Sequence, residues 1–137
     1  MGKINRFAMG YLFDGKGNVA LIRKNRPDWQ KGRLNGIGGK IEKGEAPLQA
    51  MVREFREEAG AAVMWRQFAE LTGDGYRLYC FTAKDKVEIT TMTDEEVGWY
   101  PVDDLPANVL ANARFLIPMA DYKFPITAKI IHQNPEC

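Results

Sequence analysis

Cysteine and histidine are scarce in this chain, and long apolar runs are missing. Its two cysteines, Cys80 and Cys137, are too few for a disulfide framework. A single histidine, His132, argues against a histidine-based metal site or a catalytic triad. The longest apolar runs are far too short to span a bilayer, and the N-terminal stretch lacks the apolar segment of a secretory signal. We therefore expect a cytoplasmic protein with no membrane partner.

An excess of charge of one sign is also missing, because the chain has 19 lysines and arginines and 18 aspartates and glutamates. A formal net charge of +1 gives no reason to expect a nucleic-acid polymer or an anionic membrane as a partner. A chain of 137 residues that is 45% hydrophobic is long enough to bury a core of its own. We expect a single domain over residues 1–137, and both a monomer and a homodimer stay open.

Apolar periodicity divides the chain into strands and two helices. The first helix lies between Pro47, which suits a first helical turn, and Gly60, which suits the position past the end. The second covers residues 108–120, where Pro118 kinks or ends it. Residues 25–40 are too rich in glycine, proline and asparagine for regular structure, and long loops are often functional. Strands are predicted at residues 4–13, 18–24, 62–72, 76–84 and 97–102.

Three glutamates crowd one side of the first helix. Glu54, Glu57 and Glu58 are neighbours at helical spacing and cover an arc of about 100° beside an apolar stripe. Like charges at these spacings repel each other by a few tenths of a kcal/mol per pair. Arg53 and Arg56 relieve part of that repulsion, so a solvated, arginine-rich helix face is one interpretation. The apolar stripe consists of Leu48, Met51, Val52, Phe55 and Ala59.

A glycine turn upstream of this helix favours a different interpretation. Gly38 and Gly39 can adopt backbone conformations closed to other residues and let a ligand approach the main chain, and Lys40 adds a cation. Mg²⁺ takes carboxylate oxygens together with the phosphate oxygens of a substrate. Glycines, carboxylates and basic residues are therefore the parts needed to bind a metal-bound diphosphate.

The stretch "GGKIEKGEAPLQAMVREFREEAG" resembles the signature of the Nudix family. That signature is G-x5-E-x7-R-E-U-x-E-E-x-G-U, where U is a bulky apolar residue. Ala61 is smaller than the usual aliphatic residue at the last position. The resemblance implies an α/β fold, the Nudix α/β/α sandwich with a mixed β-sheet between helices. The residues that match in register are Gly39, Glu45, Arg53, Glu54, Phe55, Glu57, Glu58 and Gly60.

The same resemblance implies an enzyme and assigns roles within it. Nudix enzymes hydrolyse a nucleoside diphosphate linked to another group, using Mg²⁺ or, in its place, Mn²⁺. Arg53 would orient the glutamates, and Glu45 would pair with Arg53 or support the loop. Glu54 is the first choice for the general base, and Glu95 is the second, with a solvated acidic turn as the alternative for Glu95. The implied metal ligands are the backbone carbonyl of Gly39 and the carboxylates of Glu54, Glu57 and Glu58.

Substrate choice depends on residues outside the signature. Asn35 resembles the base-contacting asparagine of oxidised-purine triphosphatases. Asn112, with Asn108 as second choice, resembles the asparagine that binds the base in MutT-type members. An amide donates and accepts hydrogen bonds together, as a purine edge requires, although a turn or cap role is the alternative. Arg23 and Lys24, at the end of the second strand, are candidates for binding the phosphates, with solvated surface residues as the alternative.

The favoured function is hydrolysis of oxidised or ordinary purine nucleoside triphosphates to a nucleoside monophosphate and pyrophosphate. Dinucleoside polyphosphates are an alternative, because Tyr79 lies near the position of a base-stacking tyrosine in such members. ADP-ribose and nucleotide-sugar hydrolases are another, although the proline they tend to carry is missing from residues 70–78. A non-catalytic nucleotide sensor is a remote third, since such proteins usually lose signature glutamates.

Overall fold

Eight strands and two helices form the part of the chain that the computed structural model describes, residues 3–122 and 127–132. None of these helices is long and apolar enough to cross a membrane. Short 3₁₀ turns occur at Asp28–Gln30 and Val102–Asp104. The helices are α1 (Pro47–Ala59) and α2 (Ala111–Ala120). The strands are β1 (Asn5–Phe13), β2 (Asn18–Arg23), β3 (Leu34–Asn35), β4 (Ile37–Lys40), β5 (Arg66–Gly73), β6 (Tyr76–Lys84), β7 (Val97–Pro101) and β8 (Ala128–Ile131).

One mixed sheet contains all eight strands, with β1 at its centre. β1 runs parallel to β6 along its whole length, from the pair Asn5 and Tyr76 to the pair Phe13 and Lys84. On its other side, β1 pairs antiparallel with β2 near one end and with β4 near the other. β5 and then β8 continue the sheet beyond β6, while β3 and β7 pair with β2. The glycine-containing β4 therefore lies directly beside the central strand.

Each face of the sheet has its own hydrophobic core. Side chains alternate along β1, so that Tyr11 packs in the core under α2 and Leu12 packs in the core under α1. A mixed sheet between two helical layers confirms the predicted α/β/α sandwich. The fully or nearly buried residues of α1 are Ala50, Met51, Phe55 and Ala59, and those of α2 are Ala113, Leu116, Ile117 and Ala120.

Local signals set both ends of α1, as predicted. Pro47 occupies the first helical turn, and Gly60 ends the helix with a left-handed φ of 69°. Leu48 was predicted to be on the apolar stripe, but that prediction is wrong because its side chain is 47% exposed. The buried arc of α1 is instead rotated towards Glu54 and Glu58, which are both partly buried. The helix therefore turns two carboxylates towards the protein.

The glycine-rich segment was predicted to be irregular, but that prediction is wrong for residues 34–40. Leu34 and Ile37 are fully buried, and the segment pairs first with β2 as β3 and then with β1 as β4. Neither Gly38 nor Gly39 has a positive φ, so close packing and not an unusual backbone conformation accounts for both glycines.

Several boundaries near the C-terminus also differ from the prediction. α2 begins at Ala111 and not at residue 108, because Val109 forms a bridge to Leu34 before the helix starts. The helix continues two residues past Pro118. β5 begins at Arg66, four residues later than predicted, and the short strand β8 was not predicted at all.

Candidate functional site

Arg53 joins the acidic residues of α1 to the strand that precedes it. Its guanidinium donates two hydrogen bonds to Glu45, at 2.8 and 2.9 Å, and one to Glu54 at 2.8 Å. A longer bond of 3.4 Å reaches Glu57, and another of 3.1 Å reaches the carbonyl oxygen of Lys40 in β4. Arg53 therefore fixes the position of the helix carboxylates relative to the glycine strand.

The pair of Arg53 and Glu45 is strongly ionic. Hydrogen bonds from Arg53, followed by the backbone N–H of Glu42, lower the pKa of Glu45 to about 2. The same carboxylate, together with Glu54, raises the pKa of Arg53. Both groups are therefore charged at neutral pH.

Glu54 lies directly against the backbone of β4. A Cβ on Gly39 would come within 2.6 Å of Cδ and Oε1 of Glu54, so any side chain there would displace the carboxylate. At Gly38 a Cβ would lie 1.9 Å from the carbonyl oxygen of Ala8, because β4 packs closely on β1. Both glycines are required by this close approach, because neither position has room for a Cβ.

Glu58 is mostly buried next to Glu54. Its Oε2 atom is buried and has no hydrogen-bond partner among the residues that the structure describes. Burial, followed by the hydrogen bond and the charge of Glu54, raises the pKa of Glu58, whereas the charge of Lys24 opposes this shift. Glu57 differs, because its side chain is 57% exposed. A buried carboxylate oxygen that faces another carboxylate is an arrangement that a cation would stabilise.

These donors fit a divalent metal ion by their chemistry. Carboxylate oxygens from α1 match the oxygen ligands that Mg²⁺ prefers, and Gly39 lies directly against one of these carboxylates. Across residues 3–122 and 127–132, however, no three His, Cys, Asp or Glu side chains are gathered into a ready-made cluster. Arg53 contributes to the distance between these carboxylates, because it donates hydrogen bonds to both Glu54 and Glu57.

Glu95 is buried and surrounded by basic groups. Its Oε1 accepts a hydrogen bond from Lys24 Nζ at 3.2 Å, and its Oε2 accepts one from the backbone N–H of Asn25 at 2.7 Å. Arg26 lies 3.7 Å from Oε2 and also pairs with Asp94. Glu95 is therefore not part of a solvated turn, and its carboxylate positions Lys24.

An open cleft of about 1140 Å³ adjoins the glycine strand. Apolar side chains of the sheet, among them Phe7, Met9 and Leu78, form part of its lining, and the 25–33 loop and α2 provide further lining residues. Arg23 does not line the cleft; its guanidinium is 3.3 Å from the carbonyl oxygen of Gly32. The predicted substrate-binding residues that the cleft does bring together are Lys24, Asn35, Gly38, Gly39, Lys40 and Asn112.

The three candidate asparagines differ in their surroundings. Asn112 lines the cleft from the first turn of α2. Asn108 does not line it and donates a hydrogen bond to the carbonyl oxygen of Gly32 at 3.0 Å. Asn35 lines the cleft and is only 4% exposed. Geometry thus favours Asn35 and Asn112 over Asn108 as ligand contacts.

The sequence analysis missed most of the residues that line the cleft, among them Trp29, Phe115, Tyr76 and His132. Trp29 is 67% exposed and Phe115 is 45% exposed, so two large aromatic side chains face solvent at the cleft. The hydroxyl of Tyr76 and Nδ1 of His132 are hydrogen-bonded at 2.8 Å and also line it. In the sequence, only Trp29 could have been recognised as a candidate, because it lies within the long glycine-rich loop. Phe115, Tyr76 and His132 are brought to the cleft only by the fold.

The chain is similar to known proteins in both sequence and fold. The model of the NUDIX domain matches residues 4–119. Over 55 residues the chain is 36% identical to the 8-oxo-dGTP diphosphatase of Escherichia coli (strain K12), which covers 40% of this chain and 43% of that enzyme. The matched segment therefore spans less than half the length of this curated relative.

Among the solved structures that share this fold are two NUDIX hydrolases. The NUDIX hydrolase from Nitrosomonas europaea superposes with a TM-score of 0.81 at 16% identity, covering 98% of this chain and 81% of that one. The MutT NUDIX hydrolase from Burkholderia pseudomallei gives a TM-score of 0.73 at 22% identity, covering 82% of this chain and 95% of that one. At these identities the likeness describes the fold alone.

Proposed function

The chain belongs to the Nudix hydrolase family, and from that premise we propose that it is a MutT-type pyrophosphohydrolase. Its substrates are oxidised or ordinary purine nucleoside triphosphates, and its products are a nucleoside monophosphate and pyrophosphate. One observation carries the proposal: the cleft that Asn35 and Asn112 line extends to Gly39, against which the Glu54 carboxylate packs. A site for the base, beside Asn35 and Asn112, therefore adjoins a site for the phosphate chain, beside Gly39 and Glu54.

Nudix hydrolases work with divalent metal ions on small nucleotides. In this chain Mg²⁺, or Mn²⁺ as a substitute, would be held by Glu54, Glu57, Glu58 and the carbonyl of Gly39. When bound there, the ion would neutralise charge on the diphosphate and would make a bound water more acidic. The buried, unpaired Oε2 of Glu58 supports this assignment, because an ion would satisfy it.

The remaining chemistry belongs to side chains of this protein. Glu54 accepts the proton of the attacking water as general base, and Arg53 keeps its carboxylate in place through the 2.8 Å hydrogen bond. Glu95 remains the second candidate for the base, although Lys24 and Asn25 already donate to both of its oxygens. Lys24 binds phosphate oxygens as it lines the cleft beside the glycine strand.

At the other end of the substrate, the cleft suits a purine ring. Trp29 and Phe115 offer flat apolar surfaces for stacking, and the sheet provides an apolar floor. Asn35 and Asn112 add amide groups that can pair with the polar edge of the base. Few polar groups among many apolar ones are typical of small-molecule sites.

Tyr79, the residue that would support a dinucleoside polyphosphate substrate, lies outside the cleft. Tyr79 packs against the core under α1, and the guanidinium carbon of Arg6 is 5.4 Å from its ring centroid. Tyr79 does not line the cleft, so it gives no support to that alternative. Retention of all signature glutamates likewise disfavours a non-catalytic sensor.

The decisive experiment is a panel of nucleotides incubated with the protein, with Mg²⁺, Mn²⁺ or EDTA. It includes oxidised and ordinary (d)NTPs, ADP-ribose and diadenosine polyphosphates, and products are identified by mass. We expect metal-dependent release of pyrophosphate from purine triphosphates. Hydrolysis of ADP-ribose or diadenosine polyphosphates alone would replace the proposed substrate class. Calorimetric binding without any hydrolysis would instead indicate a nucleotide sensor.

A further inference from the structure

We infer that Glu95 is a positioning residue, which fixes the 25–33 loop and the Trp29 side chain that this loop carries relative to the acidic end of α1. Trp29 lines the cleft, whereas Glu95 does not, so Glu95 acts on a bound nucleotide through the loop. The ligand, a purine nucleotide, is taken from the proposed function, on which this inference rests. The second candidate for the general base thereby receives a different role.

Three consecutive residues at the start of the loop are attached to Glu95 and to its neighbour Asp94. The carboxylate of Glu95 is buried and accepts hydrogen bonds from Lys24 Nζ at 3.2 Å and from the backbone N–H of Asn25 at 2.7 Å. Arg26 forms ion pairs with both acidic residues. The side-chain amide of Asn25 also donates to the carbonyl oxygen of Asp94. Hydrogen bonds to an ionised carboxylate are stronger than neutral ones, so this end of the loop is firmly held.

Backbone hydrogen bonds within the loop connect this attachment to Trp29. The carbonyl oxygen of Lys24 accepts a hydrogen bond from the N–H of Gly32 at 2.7 Å, which closes the loop at its base. The carbonyl oxygen of Pro27 accepts one from the N–H of Gln30 at 2.8 Å, and Trp29 lies within the 3₁₀ turn that results. Because the Trp29 side chain is 67% exposed, packing alone gives it little support. Its position in the cleft therefore depends on how the loop is anchored.

The segment that contains Glu95 is attached to α1 as well. The backbone N–H of Thr90 donates to the carbonyl oxygen of Ala59 at 2.9 Å, and that of Met92 donates to the carbonyl oxygen of Glu58 at 3.3 Å. Glu95 therefore links the helix that carries the proposed metal ligands to the loop that lines the cleft. A nucleotide extends from one to the other, so it can stack and place its phosphates together only if their separation is fixed.

The test measures the Kd for dGMP by calorimetry in EDTA, where neither metal binding nor proton transfer contributes. Glu95→Gln keeps the shape of the side chain but places an NH₂ group against one of the two donors. We expect this variant to raise the Kd about tenfold, as the loss of a stacking contact would. With dGTP and Mg²⁺ at saturation, kcat should change by less than about threefold, because the chemical step is left intact. Glu96→Gln makes the same change at the exposed neighbouring glutamate and should leave Kd and kcat unaltered.

A double-mutant cycle shows whether Glu95 acts through Trp29. Trp29→Ala is expected to raise the Kd for dGMP about tenfold. In that background Glu95→Gln should add less than about twofold, because the side chain that it positions has gone. Fully additive effects of the two substitutions would overturn the inference.

An unaltered Kd for Glu95→Gln in EDTA would also overturn it, and a loss of kcat alone would then assign Glu95 to proton transfer or metal binding. Absence of dGMP binding by the wild type would overturn it too. Absence of hydrolysis with every nucleotide would refute only the proposed function, since the dissociation constants would still decide the role of Glu95.

A second variant decides the outcome if Glu95→Gln does not fold. Arg26→Gln removes the ion pairs with Asp94 and Glu95 from the loop side, at a side chain that is 62% exposed. It should raise the Kd for dGMP in EDTA about threefold, within the range of an exposed ion pair. An Arg26→Gln protein with the wild-type Kd would contradict the positioning role.

Discussion

The carboxylate of Glu54 fills the space that a side chain at residue 39 would need. A Cβ on Gly39 would lie 2.6 Å from Cδ and Oε1 of Glu54 and 2.7 Å from Oε2. The acidic helix and the glycine strand are therefore in direct contact at this point. The glycine in the signature is explained by that contact, since only a residue without a side chain leaves the carboxylate in place.

Gly39→Ala should displace the Glu54 carboxylate and lower kcat about 100-fold, since misplacement of a catalytic group by about 1 Å has effects of that size. The free energy of unfolding should fall by only about 1–3 kcal/mol, as in other overpacked sites. Gly98→Ala is the matched control, because a Cβ there would make an ordinary 3.5 Å contact with Tyr100. Steady-state kinetics and urea unfolding measure both effects. A Gly39→Ala enzyme with wild-type kcat would show that this contact is irrelevant to catalysis.

Glu57→Gln should remove most of the activity while leaving the fold intact. The side chain of Glu57 is 57% exposed and makes only a 3.4 Å hydrogen bond to Arg53, so little stability depends on it. As a proposed metal ligand it should matter at least as much as the groups that support such ligands, whose loss costs about 10- to 100-fold. Glu88→Gln, another exposed carboxylate outside the site, is the control. Undiminished kcat at saturating Mg²⁺ would remove Glu57 from the ligand set.

The ion pair of Glu45 and Arg53 should stabilise the fold in a pH-dependent way. The pKa of Glu45 is about 2 in the folded protein against an ordinary value of 4.5, so the unfolded state binds more protons as the pH falls. The stabilising contribution is therefore complete above pH 4.5 and is lost progressively as the pH approaches 2. Urea midpoints of wild type and Glu45→Gln, compared in EDTA, should differ most near pH 6 and converge towards pH 2. A difference that is independent of pH would contradict the ionic role.

The ends of α1 could be predicted from sequence because Pro47 and Gly60 act locally. The rotation of the helix could not, since it depends on where β4 lies. The sequence placed Leu48 on the core side because its stripe looked apolar, whereas the fold buries Ala50 and turns Glu54 inward. The two adjacent glycines of β4 leave room for a carboxylate of α1, and the hydrophobic periodicity of the helix does not reveal this.

Spacing and residue type were enough to predict the acidic part of the site, but the cleft needed the fold. Asn35 and Asn112 come from β3 and α2, and they face one cleft only because the chain bridges at Leu34 and Val109. Gln30 is close in sequence to Asn35, yet their amides come within 3.4 Å only once the loop between them is folded. Short-range sequence patterns predict helices and strands, whereas contacts between side chains of different elements depend on the tertiary fold.

Asn112→Ala should weaken discrimination between purine bases more than it slows the hydrolysis itself. Asn112 lines the cleft but makes none of the contacts that hold Glu54 or Arg53, so the phosphate end should keep its geometry. We expect the ratio of kcat/KM for guanine and adenine nucleotides to fall about fivefold to tenfold, within the range of one base contact. Asn108→Ala provides the control, because its amide bonds to Gly32 outside the cleft. An equal loss of rate with every nucleotide would assign Asn112 to the structure of α2 and not to base recognition.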